Sequence, residues 1–362
     1  LPPGEGPIAR QILAWLAGDG PGDADLAAEA VRRFQQLSAP IAAKGVEDTA
    51  FYRRAPLLSA NEVGSAPEQF AISPAEFHRR VMDRARDFPA AMLATATHDH
   101  KRGEDSRARL AVLSGVPELW ADRVHQWTVF ADEHASDVHP ADRYQLFQTL
   151  FGAWSDEGTS PRFEKRILAW QQKSLREGRL RSSWEEPDLD YEIKAAGLLS
   201  NLLANEIFTS NLAQFVRQIA PASRINGLVQ TTLKFCLPGV PDTYQGCELE
   251  DLSLVDPDNR RAVDYAQRQA MLAMRAVCGD GKLQLVHRLL SMRRDNPELF
   301  ASGTYEPIMV KGPRAGHVLA FTRSHNDVRL TCAVMIRAAA PVIAADDLPS
   351  ATWWQDTHLM LD

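Results

Sequence analysis

The sequence predicts an α/β protein in which two short buried strands bracket a long helical stretch and a small antiparallel β unit ends the chain. Three observations carry this. Residues 90–97 form a nearly unbroken apolar and Thr run without alternation, the pattern of a strand buried on both faces of a parallel sheet. From 104 to about 238 the apolar residues recur at helical spacing, as in Tyr144, Phe147 and Phe151, then Phe163, Ile167 and Trp170, then Tyr191, Leu198 and Leu202. After Gly303 come short β-like runs at 304–310, 317–322, 329–335 and 357–361, separated by Gly, Pro, Asn and Asp.

Each element has its own warrant. Leu26, Ala30, Phe34 and Leu37 follow Asp25, a suitable N-cap, and predict a helix to about Ala39, just before Pro40. An irregular stretch is expected from there to about Ile72. Ser73-Pro74-Ala75-Glu76 reads as a capping box with Pro at the first helical position, opening a helix with Phe77, Val81 and Ala85 on one face. The strand at 90–97 ends in Thr97-His98-Asp99-His100-Lys101-Arg102, and ionisable groups directly after a buried parallel strand are where catalytic residues collect in parallel α/β barrels. A second strand is expected around 239–244, again ending in polar residues, with helices resuming near Asp264 and Lys282.

Composition bounds the function. At roughly 150 residues per domain, 362 residues make two or three domains, and 45% hydrophobic with 24% charged residues is an ordinary globular balance. Forty Lys and Arg against 47 Asp and Glu leave a net charge of −7 with no separate basic block, so a neutral ligand fits better than a nucleic acid. Cys236, Cys247, Cys278 and Cys332 form no CxxC pair and no disulfide scaffold, which points to a reducing compartment. No stretch reaches the ~20 apolar residues that span a bilayer, so no membrane partner is expected. The chain opens on Leu1 without an initiator Met or a signal-peptide pattern, and the expectation is that it begins inside a longer polypeptide.

Residue types alone leave His98, Asp99 and His100 open. A His-x-His pair on a strand suits a metal, but the remaining histidines supply no further ligand at another strand end. Asp99 suits glycoside chemistry with His98 as a sugar-hydroxyl ligand, and it equally suits a helix cap. The Asp-rich loop of Asp256, Asp258, Asn259 and Arg260 lacks the spacing of a calcium-binding EF-hand. No metal site is expected.

Five motifs narrow the choice: KGVEDTAFYR at 44–53, NEVG at 61–64, THDHKRGED at 97–105, SSWEEPDLDYE at 182–192 and GVPDTYQGCELEDLSLVDPDNRR at 239–261. In order and spacing they resemble the maltooligosyl trehalose synthases, a family of the α-amylase superfamily of retaining glycosidases. The resemblance implies the C-terminal part of a (β/α)8 barrel with a large helical insertion and a small antiparallel β-domain. The ranges are 1–103 for part of the barrel with preceding helices, 104–237 for the helical subdomain, 238–302 for the last barrel strand and following helices, and 303–362 for the β-domain. It further implies an intramolecular transglucosylation that converts the reducing-end α-1,4 linkage of maltooligosaccharides to α,α-1,1, in the cytoplasm and without a cofactor.

By position, Asp99 matches the family's third carboxylate and His98 the histidine beside it. The nucleophilic Asp and the acid/base Glu are implied to lie on earlier strands, so that this chain alone lacks them and needs the upstream barrel half as a partner. Lys101 and Arg102, on the same turn, are expected to donate to sugar hydroxyls or to hold carboxylates ionised, with a solvated or structural ion pair as the alternative. Lys44, Glu47 and Asp48 are implied to line the cleft, and Tyr52 and Trp184 to offer aromatic faces to sugar rings unless they are core. Asp242, Tyr244, Gln245 and Glu248, then Asp256, Asn259 and Arg260, complete the implied substrate contacts. The sequence departs from the family pattern at His100, Gly103, Cys247 and Glu250, where a small hydroxyl residue, Ser, Thr and Trp are usual. Two other functions remain open: a glucan hydrolase or glucanotransferase of the same superfamily, and a non-catalytic glucan-binding fragment.

Overall fold

The computed structural model describes residues 4–66, 68–135, 137–155, 158–273, 281–345 and 348–361. Cys278 lies outside them. Two amphipathic helices come first, α1 (Gly6–Ala17) and α2 (Ala24–Ala42). The cap of α2 is Asp23, whose carboxylate accepts the N–H groups of Asp25 at 2.9 Å and Leu26 at 3.0 Å, and not Asp25 as the sequence predicts. The helix also runs through Pro40, where a stop is expected. Proline removes one intrahelical donor without forbidding continuation, and just beyond it the chain widens into a π-helix, Ala43–Ala50, followed by one α-turn, α3 (Phe51–Arg53). The stretch expected to be irregular is thus helical in its first part, with a period that apolar spacing tuned to 3.6 residues does not detect.

A 3-10 turn at Leu58–Ala60 leads to α4 (Pro74–Asp87), capped as the sequence predicts by the Ser73 hydroxyl on the Glu76 N–H at 3.1 Å. β1 (Met92–Leu93) follows. The helical stretch comprises α5 (Glu104–Val112), α6 (Pro117–Ala135), α7 (Pro140–Ala153), α8 (Pro161–Gly178), α9 (Leu189–Ala204) and α10 (Glu206–Cys236). Their starts follow side-chain logic: Ser160, Asp188 and Asn205 each accept a first-turn N–H, and Pro opens α7 and α8. β2 (Val240–Pro241) then returns to lie parallel to β1, with Met92 opposite Val240 and Leu93 opposite Pro241. Among the described residues parallel pairing is confined to this pair.

α11 (Tyr265–Ala273), α12 (Gly281–Asp295) and α13 (Pro297–Ser302) lead into the β unit. It holds β3 (Glu306–Pro307), β4 (Val310–Lys311), β5 (Val318–His325), β6 (Val328–Met335), an unexpected short helix α14 (Ala339–Ala345), and β7 (His358–Leu359). β3, β5 and β6 form one antiparallel sheet and β4 pairs with β7. The four expected runs are all represented.

Two cores hold these parts. In the larger, Trp127 is fully enclosed by Phe147, Phe208 and Phe215 at ring distances of 5.6–6.1 Å, packings suited to edge-on aromatic contact. The smaller joins Val81 of α4, Phe235 and Cys236 of α10, Val286 and Leu289 of α12, and Phe321 and Cys332 of the hairpin. The β unit therefore shares its apolar face with helices far earlier in the chain. By contrast Ile8, Ile12, Leu13 and Trp15 of α1 and Leu26, Phe34, Leu37 and Ile41 of α2 are exposed.

A buried charge cluster fastens the helices to the strand ends. Lys282 Nζ lies 2.6 Å from the Glu104 carboxylate and 2.5 Å from that of Asp105, while Lys234 approaches Glu104 at 3.8 Å and Thr95 Oγ1 at 3.1 Å. Burial pushes the Asp105 carboxyl up to about 6 although Lys282 opposes it. Glu104 is held below the usual range because the two lysines outweigh its burial.

Two outcomes follow from this frame. Gly239 has φ +128°, and a Cβ there would sit 2.7 Å from the Ala91 carbonyl oxygen. Gly239→Ala is expected to cost about 1–3 kcal/mol in urea unfolding, combining backbone strain with a clash across the parallel pair. Lys282→Met leaves the buried Asp105 without its ammonium and Glu104 with only the more distant Lys234, and is expected to cost about 3–5 kcal/mol near pH ~8. Asp105 already has a folded pKa above its unfolded value, so protonation favours the folded state, and the loss should shrink as pH falls towards ~5. Chemical denaturation at the two pH values measures it.

Candidate functional site

The turn at 97–103 leaves β1 at its C-terminal end and is held from three sides. On the first side, Asn259 donates from Nδ2 to the His98 carbonyl at 2.9 Å. On the second, the Gly103 N–H donates to the Ser253 carbonyl at 2.8 Å, and His100 Nε2 lies 3.0 Å from Ser253 Oγ. On the third, Glu62 accepts the N–H groups of Lys101 at 2.9 Å and Arg102 at 3.3 Å. Within the turn the Asp99 N–H donates to Thr97 Oγ1 at 3.2 Å. The result presents a half-buried Asp99 and an exposed His98 while His100, Lys101 and Arg102 are buried.

The departures from the family pattern are part of this support. His100 packs edge-on against Tyr244 with ring centroids 5.7 Å apart, and burial lowers its pKa. A Cβ on Gly103 would lie 2.4 Å from the Asp251 carbonyl oxygen, so this position has no room for Ser with the loop as it stands. The Cys247 thiol donates to the Asp251 carboxylate at 3.6 Å, and burial pushes it up. Glu250 reaches Arg109 at 3.2 Å.

The π-helix supplies a second row of charge. Lys101 Nζ, buried, lies 2.7 Å from Asp48 Oδ1, and the exposed Lys44 bonds the other oxygen of that carboxylate. Burial works against the Asp48 charge, but the hydrogen bonds from Lys101 and Lys44 outweigh it and hold the carboxyl below its usual range. Lys44 is raised chiefly by its hydrogen bond to Asp48, with a smaller contribution from the negative charge of Asp99. Lys101 also stands 5.7 Å from the Tyr52 ring centroid. Tyr52 is buried, which pushes its hydroxyl up, and that hydroxyl has no hydrogen-bond partner among the described residues. Glu47 accepts the Gly64 N–H at 3.1 Å and so ties the π-helix to the NEVG turn.

Arg102 runs inward, its guanidinium 6.0 Å from the Trp170 ring centroid, and burial lowers its pKa to about 10. Beyond it is a cavity of about 540 Å³ between α8 and the loop at 254–261, which brings Trp184 and Asp256 together with Trp170, Lys173 and Arg166. Asp256 pairs with Lys173 at 2.5 Å, and Trp184 carries the Arg176 guanidinium 4.9 Å from its ring centroid. Arg260 is exposed and 3.9 Å from Asp256, whereas Asn259 is buried with its side chain committed to His98.

The remaining candidates are more peripheral. Asp242 continues the strand ladder through its N–H to the Leu93 carbonyl at 2.9 Å. Glu248 is occupied by Arg268 at 3.0 Å, and Gln245 is exposed with its amide 3.3 Å from the Arg261 carbonyl. Among the described residues no group of three or more His, Cys, Asp or Glu side chains could hold a metal ion. Glu62 and Ser253 are supporting residues that motif reading passed over. An acid inside the NEVG motif, followed by small residues and lying near no basic neighbour in sequence, was the available signal for Glu62.

The buried Lys101 depends on Asp48 for its counter-charge. Asp48→Asn is expected to cost about 3–5 kcal/mol of folding free energy, because it leaves a desolvated ammonium unpaired. The urea midpoint measures it, and a loss below about 1 kcal/mol would mean that water reaches Lys101.

No family model matches the chain. Two curated proteins from strains CDC 1551 and H37Rv of Mycobacterium tuberculosis, which carry a provisional maltooligosyl trehalose synthase name, are 40% identical over 299 residues. That match covers 81% of this chain and 38% of theirs. The solved maltooligosyltrehalose synthase of Arthrobacter ramosus superposes with a TM-score of 0.80 at 33% identity, covering 99% of this chain and 45% of that one. A crystal structure of a hypothetical maltooligosyl trehalose synthase from Sulfolobus tokodaii gives 0.72 at 29% identity, covering 82% of this chain and 40% of that one. The chain spans less than half the length of each of these relatives, and no helix among its described residues is long and apolar enough to cross a membrane. In sequence and in fold, over most of its length, this chain is a homologue of the maltooligosyl trehalose synthases.

Proposed function

We propose that the chain is the C-terminal part of an enzyme that rearranges the reducing-end α-1,4 linkage of maltooligosaccharides, or of glycogen-derived glucans, to α,α-1,1 in the cytoplasm. The observation that carries this reading is Asp99. It is half-buried in the turn that follows the parallel strand β1, six residues beyond Leu93, and fixed by its flanking backbone, in a chain 40% identical to proteins of that name. The rest of a (β/α)8 barrel would contribute the nucleophile and the acid/base, which a retaining mechanism places about 5 Å apart. The exposed apolar faces of α1 and α2, together with exposed Met92 and Val240 on the two strands, suit such a neighbour.

In this reading the Asp99 carboxylate works by charge. It accepts hydrogen bonds from ring hydroxyls and favours the positive charge that develops at the anomeric carbon. Lys101 is kept from pairing with Asp99 by its bond to Asp48, which leaves the Asp99 charge for the substrate. Breaking the α-1,4 bond would leave the glucan on the upstream nucleophile and free the protonated terminal glucose, which must then stay, reorient and attack that glycosyl-enzyme through its anomeric hydroxyl, displacing the nucleophile, before water does. A pocket with several donors and little free water gives that hydroxyl a large effective concentration. Lys44, Glu47 and Asp48 on one side, and Asp256 and Arg260 on the other, are assigned to this pocket, with Trp184 as its aromatic wall. His98 and Tyr244 are assigned sugar contacts beside Asp99.

The test uses the complete protein on maltopentaose. Asp99→Asn should lower kcat by about 10²–10³ with an unchanged melting temperature; a near-normal rate returns Asp99 to a turn-capping role. Arg260→Ala should raise the ratio of free glucose to trehalose-capped product, read by chromatography, because a looser acceptor site admits water. A lower rate at constant ratio assigns Arg260 to general binding, and a wild-type protein that makes only reducing sugars is a hydrolase or glucanotransferase.

A further inference from the structure

The turn that carries Asp99 is fastened by a buried carboxylate from a distant segment. Glu62 is 5% exposed. Its Oε1 accepts the Lys101 N–H at 2.9 Å and the Val63 N–H at 2.8 Å, and its Oε2 accepts the Arg102 N–H at 3.3 Å and lies 3.3 Å from Arg107 Nε. Both oxygens are thus engaged by the two residues that follow His100, and the counter-ion comes from α5. A carboxylate receiving successive backbone N–H groups fixes the path of that backbone more tightly than side-chain packing can, since each bond is charge-assisted and shielded from water.

From this geometry we infer that Glu62 is a positioning residue for Asp99: it sets where the Asp99 carboxylate stands without touching the sugar. The inference rests on the reading of Asp99 given above. Glu62 holds the turn on its C-terminal side as Asn259 holds it on its N-terminal side, so Asp99 is suspended between an anchor at the residue before it and one at the second residue after it. Gln at position 62 keeps the size but offers one acceptor and one NH₂, so at least one of the N–H groups of Lys101 and Arg102, or the Arg107 guanidinium, faces a donor. The turn then relaxes, and displacement of a working group by about 1 Å is enough to cost up to roughly 10² in rate.

The experiment compares the complete wild-type protein with Glu62→Gln, Asp99→Asn and the double variant on maltopentaose. Glu62→Asp, which keeps the charge and the Arg107 pair but withdraws the carboxylate by one methylene, replaces Gln if Gln does not fold. Expected is a fall in kcat of about 10–100-fold with KM within about threefold of wild type, the size seen when outer partners of a working group are removed. In the Asp99→Asn background the same change should cost less than about threefold, because there is no longer a carboxylate to place. Amide hydrogen exchange of the unaltered protein should show Lys101 and Arg102 strongly protected. Full additivity of the two losses, unprotected amides, or a folded Glu62 variant with wild-type kcat overturns the positioning role. A near-normal rate for Asp99→Asn instead overturns the reading of Asp99, so the two failures are distinguishable.

Discussion

A polar turn buried between helices must find a partner for each of its backbone groups, because an unpaired N–H or C=O out of contact with water costs as much as a lost hydrogen bond. The segment at 97–103 finds partners for several of its groups in two remote parts of the chain. The NEVG turn supplies Glu62, and the loop after β2 supplies the Ser253 carbonyl and the Asn259 side chain. Asp251 extends the same logic by accepting the N–H groups of Asp105 and Ser106 at 3.2 Å, while its own N–H donates to the Asp105 carboxylate at 2.8 Å. Five quoted motifs separated by up to two hundred residues are therefore mostly one structural problem solved once.

Charge is distributed around that turn in two tiers. Below it, Lys234 and Lys282 neutralise Glu104 and Asp105 in the core. Above it, Lys101 and Lys44 share Asp48 towards the surface. The lower tier balances two ammonium groups with two carboxylates, whereas in the upper tier two share one, and Lys44 also feels the charge of Asp99.

Much of this was legible in the sequence, and the exceptions have physical causes. The Ser73 capping box, the six helices between 104 and 236 and the four β runs all express periodicities or local side-chain bonds that a linear reading can detect. The two strands were placed correctly but too long, since pairing between β1 and β2 covers only two residues each, and the expected burial on both faces is not found, Met92 and Val240 being exposed. The π-helix escaped detection because its turn is wider than the one that apolar spacing is matched against. The motifs marked out segments that the fold brings into contact, yet what each side chain binds was not legible. Asn259 and Glu62 support backbone, Glu248 is bound to Arg268, and only pairing across 20 to 160 residues reveals it.

The sharing of an apolar face between the β5–β6 hairpin and helices α4, α10 and α12 bears on the order of events during synthesis. Val81, Phe235 and Leu289 emerge from the ribosome well before Phe321 and Cys332, which complete their enclosure. Arg323, 1% exposed and donating to the carbonyls of Phe300, Gly303 and Thr304, then closes the junction. Until that last stretch has been translated the earlier helices hold uncovered oily surface, the condition in which nascent chains need chaperones. Enclosure of this face is consequently timed by translation of the hairpin at 318–335.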